Sequence, residues 1–313
     1  MRLLSIAISI LCALIVTPVA NAAATRVPDD SRNSSLHIQI EGGGWGSVST
    51  EQIETVLQSV ANELLAQVPN RFSATIIVTH TDSNPIALYD RGPAGEYLVR
   101  LHASDERWHL YVFEFAHEFC HLLSNYDENV SDDVRRKNQW FEETLCETAS
   151  LYALERLAST WERSPSHAGL AEHAGKLGRF FNLLISEEHR HLPPQVQPAG
   201  WVSDNEDNLR RDPYQREKND LVAKLLLPLF ERSPKSWGAL PYMNLDREDA
   251  SASLTEYLQR WHQRVPLEHK AFVADVMTLL GVGAASPVTA TLNPEAAGQQ
   301  VLMVAGQSSP TER

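Results

Sequence analysis

Apolar residues recur along most of this chain with the spacing of half-buried strands or of amphipathic helices. Residues 36–41 alternate apolar and polar side chains, which predicts a strand with one buried face. Residues 72–80 are rich in β-branched and aromatic side chains and predict a buried strand. Residues 96–103 alternate again, and we expect this third strand at an edge of the sheet.

Longer stretches repeat their apolar residues every three or four positions, which predicts helices. Ser49 or Thr50 is the expected N-cap of the first helix. Ser104 is the expected N-cap of the second, with Asp105 and Glu106 in its first turn, where the helix dipole favours acidic groups. The predicted helices cover residues 50–68, 105–126, 140–160, 217–231, 252–263 and 267–280.

Together these elements predict an α+β fold, in which a small mixed β-sheet and two prominent helices precede a mainly helical C-terminal lobe. Residues 23–163 would form the α/β domain and residues 164–283 the helical lobe, with a break near Ser164 and Pro165. Residues 284–313 lack periodicity over most of their length and predict a flexible tail.

Residues 1–22 have the features of a secretory signal peptide. Arg2 precedes an apolar run that is too short to span a bilayer, and Ala20 and Ala22 stand at −3 and −1 of the expected cleavage site. We therefore expect an exported protein, periplasmic or secreted, with no membrane attachment after cleavage.

The charge of the chain excludes one class of partner. It contains 40 Asp and Glu against 27 Lys and Arg, a formal net charge of −13. Because an acidic surface repels phosphates, nucleic acid and anionic lipid are not expected partners.

The second predicted helix contains the sequence HEFCH, residues 117–121. His117 and His121 are separated by about 40° and one turn of helix, so both imidazoles can reach one zinc ion. Glu118 lies beside the pair, where it can take a proton from the metal's water. An amphipathic surface helix gives the same pattern by accident, because apolar residues occupy the opposite face.

A catalytic zinc site needs a third protein ligand, and the helix that begins near Trp140 offers two carboxylates on one face. Glu143 and Glu147 are one turn apart. Either can bind the metal while the other accepts a hydrogen bond from the second nitrogen of a ligand histidine. Asp127 is a rival third ligand at metzincin-like spacing, although the sharp turn that this requires favours glycine where Ser124 stands.

The motif and its spacing resemble the gluzincin metallopeptidases, which include thermolysin-like and aminopeptidase-like enzymes. His117, Glu118 and His121 are followed 22 positions later by Glu143, in a stretch that begins Trp-Phe as in several such families. The resemblance covers about residues 95–160. It implies a zincin-like catalytic domain with Glu143 as a zinc ligand, Glu118 as general base and Glu147 as the second-shell acid. It also implies that residues 96–103 form the edge along which substrate lies.

Cys120 and Cys146 flank the faces that must meet across the metal. A disulfide between them and a pair of buried free thiols are both consistent with these positions. Tyr214, Tyr242, His189, His191 and His262 are possible donors to an oxyanion, and the sequence does not choose among them.

The sequence therefore predicts an exported zinc-dependent peptidase that binds one zinc ion and acts on peptides or proteins. The alternative is a non-catalytic zinc-binding or peptide-binding protein on the same scaffold, although such a protein has no use for Glu118.

Overall fold

Four short strands form one mixed sheet in the order β1-β2-β4-β3: β1 His37–Glu41, β2 Thr75–His80, β3 Ile86–Ala87 and β4 Tyr97–Leu101. The structure is a computed structural model that describes residues 36–66, 68, 73–127, 136–164 and 168–283. The predicted signal peptide at 1–22 and tail at 284–313 lie outside these residues.

The strand at one edge of the sheet differs from the prediction. β1 pairs with β2 and β2 pairs with β4, both in parallel, so that Ile76 lies opposite Ile38 on one side and Tyr97 on the other. β3 pairs antiparallel with β4, with Ile86 opposite Arg100. The expectation that residues 96–103 form the sheet edge is therefore wrong at residues 99–100, because β3 covers them. β3 is too short to leave an alternating pattern in the sequence.

Eight α-helices follow the order of the chain among the described residues. They are α1 Thr50–Leu65, α2 Trp108–Leu123, α3 Gln139–Arg163, α4 Ala174–Ser186, α5 Pro198–Arg211, α6 Arg216–Arg232, α7 Leu254–Arg264 and α8 Leu267–Leu279. Short 3₁₀ helices occupy Ala168–His173, Glu188–Arg190, Pro234–Tyr242 and Arg247–Ser251. The predicted α+β class and the small mixed sheet are confirmed.

Two helices are absent from the prediction, α4 and α5. α4 contains Gly175 and Gly178, which lower helix propensity. α5 is rich in Asp and Asn, and Val202 and Leu209 are its buried residues, so its apolar face is too sparse to show a period. Its start at Pro198 is the helical position where proline is best tolerated.

α2 begins three residues later than an N-cap at Ser104 predicts, at Trp108 instead of residue 105. Asp105 adopts a left-handed backbone with φ of 52°, which is incompatible with a helix. Its carboxylate instead accepts hydrogen bonds from the Ser47 backbone N–H at 3.0 Å and the Ser47 hydroxyl at 3.1 Å. Residues 104–107 therefore tie the loop that follows β1 to the start of α2, and Ser104 does not cap the helix.

α3 lies at the centre of the packing. It contacts α2, α4 and α6, while α1 packs between α2 and β1. Trp140 and Trp161, near its two ends, are both fully buried. A single apolar core runs from Leu36 to Val282, so the C-terminal helices pack on the same helix that carries Glu143. None of the helices in the described residues is long and apolar enough to cross a bilayer.

Candidate metal centre

The polar side of α2 is buried against α3 and the sheet. Glu114 and Glu118 are 9% and 5% exposed, although their spacing also fits the solvated face of a surface helix. Glu114 accepts hydrogen bonds from the backbone N–H groups of His102 and Ala103, at 2.8 and 2.9 Å. Since both faces of α2 are inside the protein, the surface-helix alternative does not apply to HEFCH.

The packing of α2 on α3 brings His117, His121 and Glu143 together. Glu143 Oε2 lies 3.3 Å from His117 Nε2 and 3.7 Å from His121 Nε2. The two imidazole centroids are 5.1 Å apart. Donor atoms that share one tetrahedral zinc ion at about 2.0–2.1 Å lie about 3.3 Å from each other. The two distances from Glu143 Oε2 are therefore compatible with a carboxylate that shares one zinc ion with the histidines, and the donor types suit zinc.

The other nitrogen of His121 is held by Glu142. His121 Nδ1 lies 2.8 Å from Glu142 Oε1, and Glu142 Oε2 accepts from Asn244 Nδ2 at 3.0 Å and from Arg136 at 3.3 Å. This contact fixes the ring so that Nε2 faces Glu143. The two nitrogens of an imidazole point in different directions, so one histidine reaches two consecutive residues of α3 although their side chains diverge by about 100°.

Glu147, which the sequence assigns to this supporting role, makes a different contact. Its Oε1 accepts a hydrogen bond from Arg190 Nη2 at 2.7 Å, and Arg190 is 1% exposed. Glu142 thus makes the contact with a histidine nitrogen that the resemblance implies for Glu147. The guanidinium that binds Glu147 belongs to the segment Glu188–Arg190, about 40 residues downstream. No local sequence pattern indicates this contact.

Glu118 is fixed by the edge strand. Its Oε2 accepts a hydrogen bond from the Ala87 backbone N–H at 2.7 Å. Burial raises the pKa of the Glu118 carboxyl, against the lowering effect of His117 and His121. A carboxyl with a raised pKa is closer to the range in which it can both accept and return a proton.

The two histidines and Glu143 form a charge-coupled cluster. Burial lowers the pKa of His117 and His121, but neighbouring carboxylates outweigh burial: Glu143 for both rings, with Glu118 beside His117 and Glu142 beside His121. The net pKa of both imidazoles is raised, that of His121 well above its ordinary value. Burial raises the pKa of Glu143, but the two histidines lower it by more than burial raises it, so the net shift is downward. Without a metal, protons on the imidazoles balance the buried carboxylate.

Asp127, the rival third ligand, makes an ion pair of its own. Its Oδ2 lies 2.5 Å from Arg91 Nε, so this oxygen is engaged outside the cluster of His117, His121 and Glu143. Cys120 and Cys146 are free thiols, both fully buried, so the structure has the second of the two arrangements that the sequence leaves open. Cys146 Sγ nevertheless lies within 4.8 Å of a nitrogen of each histidine.

A cavity of about 390 Å³ opens beside the cluster. Of the side chains discussed so far, His117, Glu118, Glu143, Glu147 and Glu114 line it. Apolar residues form part of its wall, namely Leu110, Phe113 and Phe180.

Tyr214 also lines the cavity, whereas the other four possible oxyanion donors do not. Its hydroxyl oxygen accepts a hydrogen bond from Gln139 Nε2 at 2.7 Å, which leaves the O–H hydrogen unused by this bond. Although Tyr214 is 66% exposed, partial burial of its phenol and the nearby Glu143 carboxylate raise its pKa, so the phenol stays protonated. Sequence spacing cannot find this residue, because the segment before α6 reaches the site only through tertiary packing.

Comparison of the chain with protein-family models, with curated proteins and with solved structures finds no match.

The protonated imidazoles predict a specific pH dependence of metal binding. A zinc ion must displace protons from His117 and His121, so zinc affinity should rise with pH through the neutral range and level off above the raised pKa of His121. Calorimetric titration in buffers of different ionisation enthalpy should show release of about one proton or more per zinc near neutral pH. Affinity that is constant from mildly acidic to mildly alkaline pH would contradict this arrangement.

The contact between Glu142 and His121 predicts a difference between two carboxylates of α3. Glu142→Gln should lower zinc affinity by about 10–100-fold, because it weakens the bond that orients His121. Glu147→Gln is the matched control and should change affinity much less, since Glu147 contacts Arg190 instead. Zinc dissociation constants from chelator competition make the comparison, and equal effects of the two variants would refute the assignment.

Proposed function

We propose that the protein is an exported, zinc-dependent peptidase, with zinc held by His117, His121 and Glu143. The observation that carries this proposal is the position of Glu143 Oε2, 3.3 and 3.7 Å from one nitrogen of each histidine, at the wall of a cavity that Glu118 shares. The gluzincin-like spacing of the motif supports the same ligand set. Export rests on the signal-like residues 1–22.

When bound, zinc would lower the pKa of a water molecule to about 7 and polarise the substrate carbonyl. Glu118 accepts the proton of the attacking water and returns it to the leaving nitrogen. The Ala87 N–H holds one oxygen of Glu118 at 2.7 Å, so the carboxylate keeps its orientation while the other oxygen serves the water.

The substrate edge in this proposal is β3 and not β4. Asn84 and Pro85 line the cavity directly before β3, and Ala87 contacts the general base. An extended peptide that lies beside residues 84–87 would bring its backbone to Glu118 with little dependence on its side chains.

The central experiment compares the wild-type protein with Glu118→Gln. Both should bind zinc, because Glu118 is not a ligand, while hydrolysis of unstructured peptides should fall by about 10²–10⁴-fold in the variant. Zinc content by elemental analysis and product formation by mass spectrometry are the two measurements. Equal hydrolysis by both proteins would sink the assignment of Glu118.

A second candidate function is a non-catalytic zinc protein, and the proximity of Cys146 favours it. A thiolate as fourth protein ligand would close the coordination sphere, as in structural zinc sites. Against this, burial and a hydrogen bond to Cys120 raise the pKa of the Cys146 thiol well above its ordinary value. Stoichiometric zinc in the wild type together with no hydrolysis of any peptide, and loss of that zinc in Cys146→Ala, would establish this candidate instead.

Tyr214 is the side chain that we propose for stabilising negative charge on the substrate oxygen. It lines the cavity with Glu143, and its O–H is available as a donor. Tyr214→Phe should reduce kcat by about 10²–10³-fold with unchanged zinc content. Gln139→Ala, which removes the bond to the phenol oxygen, should have a smaller effect, and an unchanged kcat in Tyr214→Phe would exclude the role.

A further inference from the structure

One wall of the cavity carries hydrogen-bond acceptors from α6 and from α3, where the acceptor lies one helical turn beyond Glu143. We call Glu147, Asn219 and Asp220 the acceptor wall; all three line the cavity and are at most 5% exposed. Asn219 donates through Nδ2 to the Pro213 carbonyl at 2.7 Å. Its Oδ1 is buried and has no hydrogen-bond partner among the described residues. A buried acceptor without a partner is costly, so a ligand that brings a donor would be favoured there.

Arg190 lies behind the acceptor wall and does not neutralise it. Its Nη2 contacts Glu147 at 2.7 Å and Asp220 at 3.2 Å, and its Nε contacts Glu187 at 2.9 Å. One guanidinium thus serves three carboxylates. His189 Nε2 lies 2.9 Å from Asp220. Arg190 carries one positive charge against the two carboxylates of the wall, Glu147 and Asp220. The wall therefore remains attractive to a cation.

We propose that the acceptor wall binds the protonated α-amino group of a peptide, so that the enzyme removes residues from the N-terminus of its substrate. This inference rests on the proposed peptidase function. An ammonium group has donors only and matches a wall that has acceptors. Burial raises the pKa of Asp220 to about 6, which still lies below neutral pH, so the carboxyl is mostly ionised there.

Distance favours the α-amine over a lysine side chain. Glu143 and Glu147 are four residues apart on α3, a rise of about 6 Å. The α-amine lies about 2.5 Å from the scissile carbonyl carbon, so a peptide whose carbonyl is near Glu143 places its amine within reach of Glu147. A lysine ammonium extends several bonds further. Arg190 is 1% exposed and contacts Glu147 and Asp220 from behind, so buried protein and not solvent backs the wall.

Arg216 lines the same cavity and carries the opposite charge. Its side chain is exposed, so solvent screens it and it only partly offsets the buried charge of Asp220. This position suits the mouth of the cavity, where the remainder of a peptide would leave.

The test uses the zinc-loaded full chain with Glu118→Gln, which prevents turnover. Tetra-alanine amide with a free amino group is compared with its N-acetyl form by calorimetric titration, since acetylation removes the charge and leaves the backbone unchanged. The free peptide should bind about tenfold more tightly or better. Equal affinities, or no binding of either peptide, would overturn the amine site.

Second-site variants locate the preference. Asp220→Asn and Glu147→Gln should each reduce the ratio between the free and the acetylated peptide at unchanged zinc content. Glu187→Gln is the matched control, because it contacts the same arginine but does not line the cavity, and it should keep the ratio. If thermal denaturation shows that Asp220→Asn is not folded, Asn219→Leu is tested in its place. An unchanged ratio in the wall variants would assign the preference elsewhere and overturn the proposal.

Hydrolysis by the wild type separates this inference from the function on which it rests. Release of free alanine from the free peptide only is the expected result. Cleavage of both peptides at equal rates would remove the amine site and keep the peptidase. Binding that prefers the free amine, without hydrolysis of either peptide, would remove the peptidase and keep the amine site.

Discussion

The structure depends on a buried contact between imidazoles and carboxylates where α2 packs on α3. Ionised groups at a helix–helix interface are costly unless each is paired, because little water reaches them to solvate their charge. Here Glu142 and Glu143 lie against His121 and His117, and the energy of this pairing fixes which turns of the two helices face each other. A shift of one helix by a single residue would leave several charges without partners.

This constraint explains why α3 is surrounded on several sides. A helix that presents Glu142, Glu143 and Glu147 to partners in different directions cannot stand alone on the surface and also define a rigid site. α4 and α6 cover it, while Arg136 and Asn244 satisfy the remaining oxygen of Glu142. The polar cluster and the apolar core therefore hold the same helix from different directions, which limits the freedom of the ligand side chains.

The sequence anticipates those features that have a local period or a fixed spacing. The alternation at 36–41, the apolar spacing of α1 and α3 and the one-turn separation of His117 and His121 are all set by neighbours along the chain. β3 escapes detection because two residues carry no period, and α5 because its polar residues hide its sparse apolar face. The partners of Glu142, Glu147 and Glu118 come from distant segments, so helical-wheel arguments assign the wrong carboxylate to His121.

Asn244 has a consequence for how the protein matures. It adopts a left-handed backbone with φ of 55°, and its amide bridges the Ser124 carbonyl and Glu142 across 102 positions of sequence, while Tyr257 donates to its oxygen. A nascent chain that has emerged only as far as α3 contains every expected zinc ligand but lacks this clamp. In the proposed zinc site, His121 would therefore be fully oriented only after residue 244 has joined the fold, and a fragment that ended after α3 would hold zinc weakly.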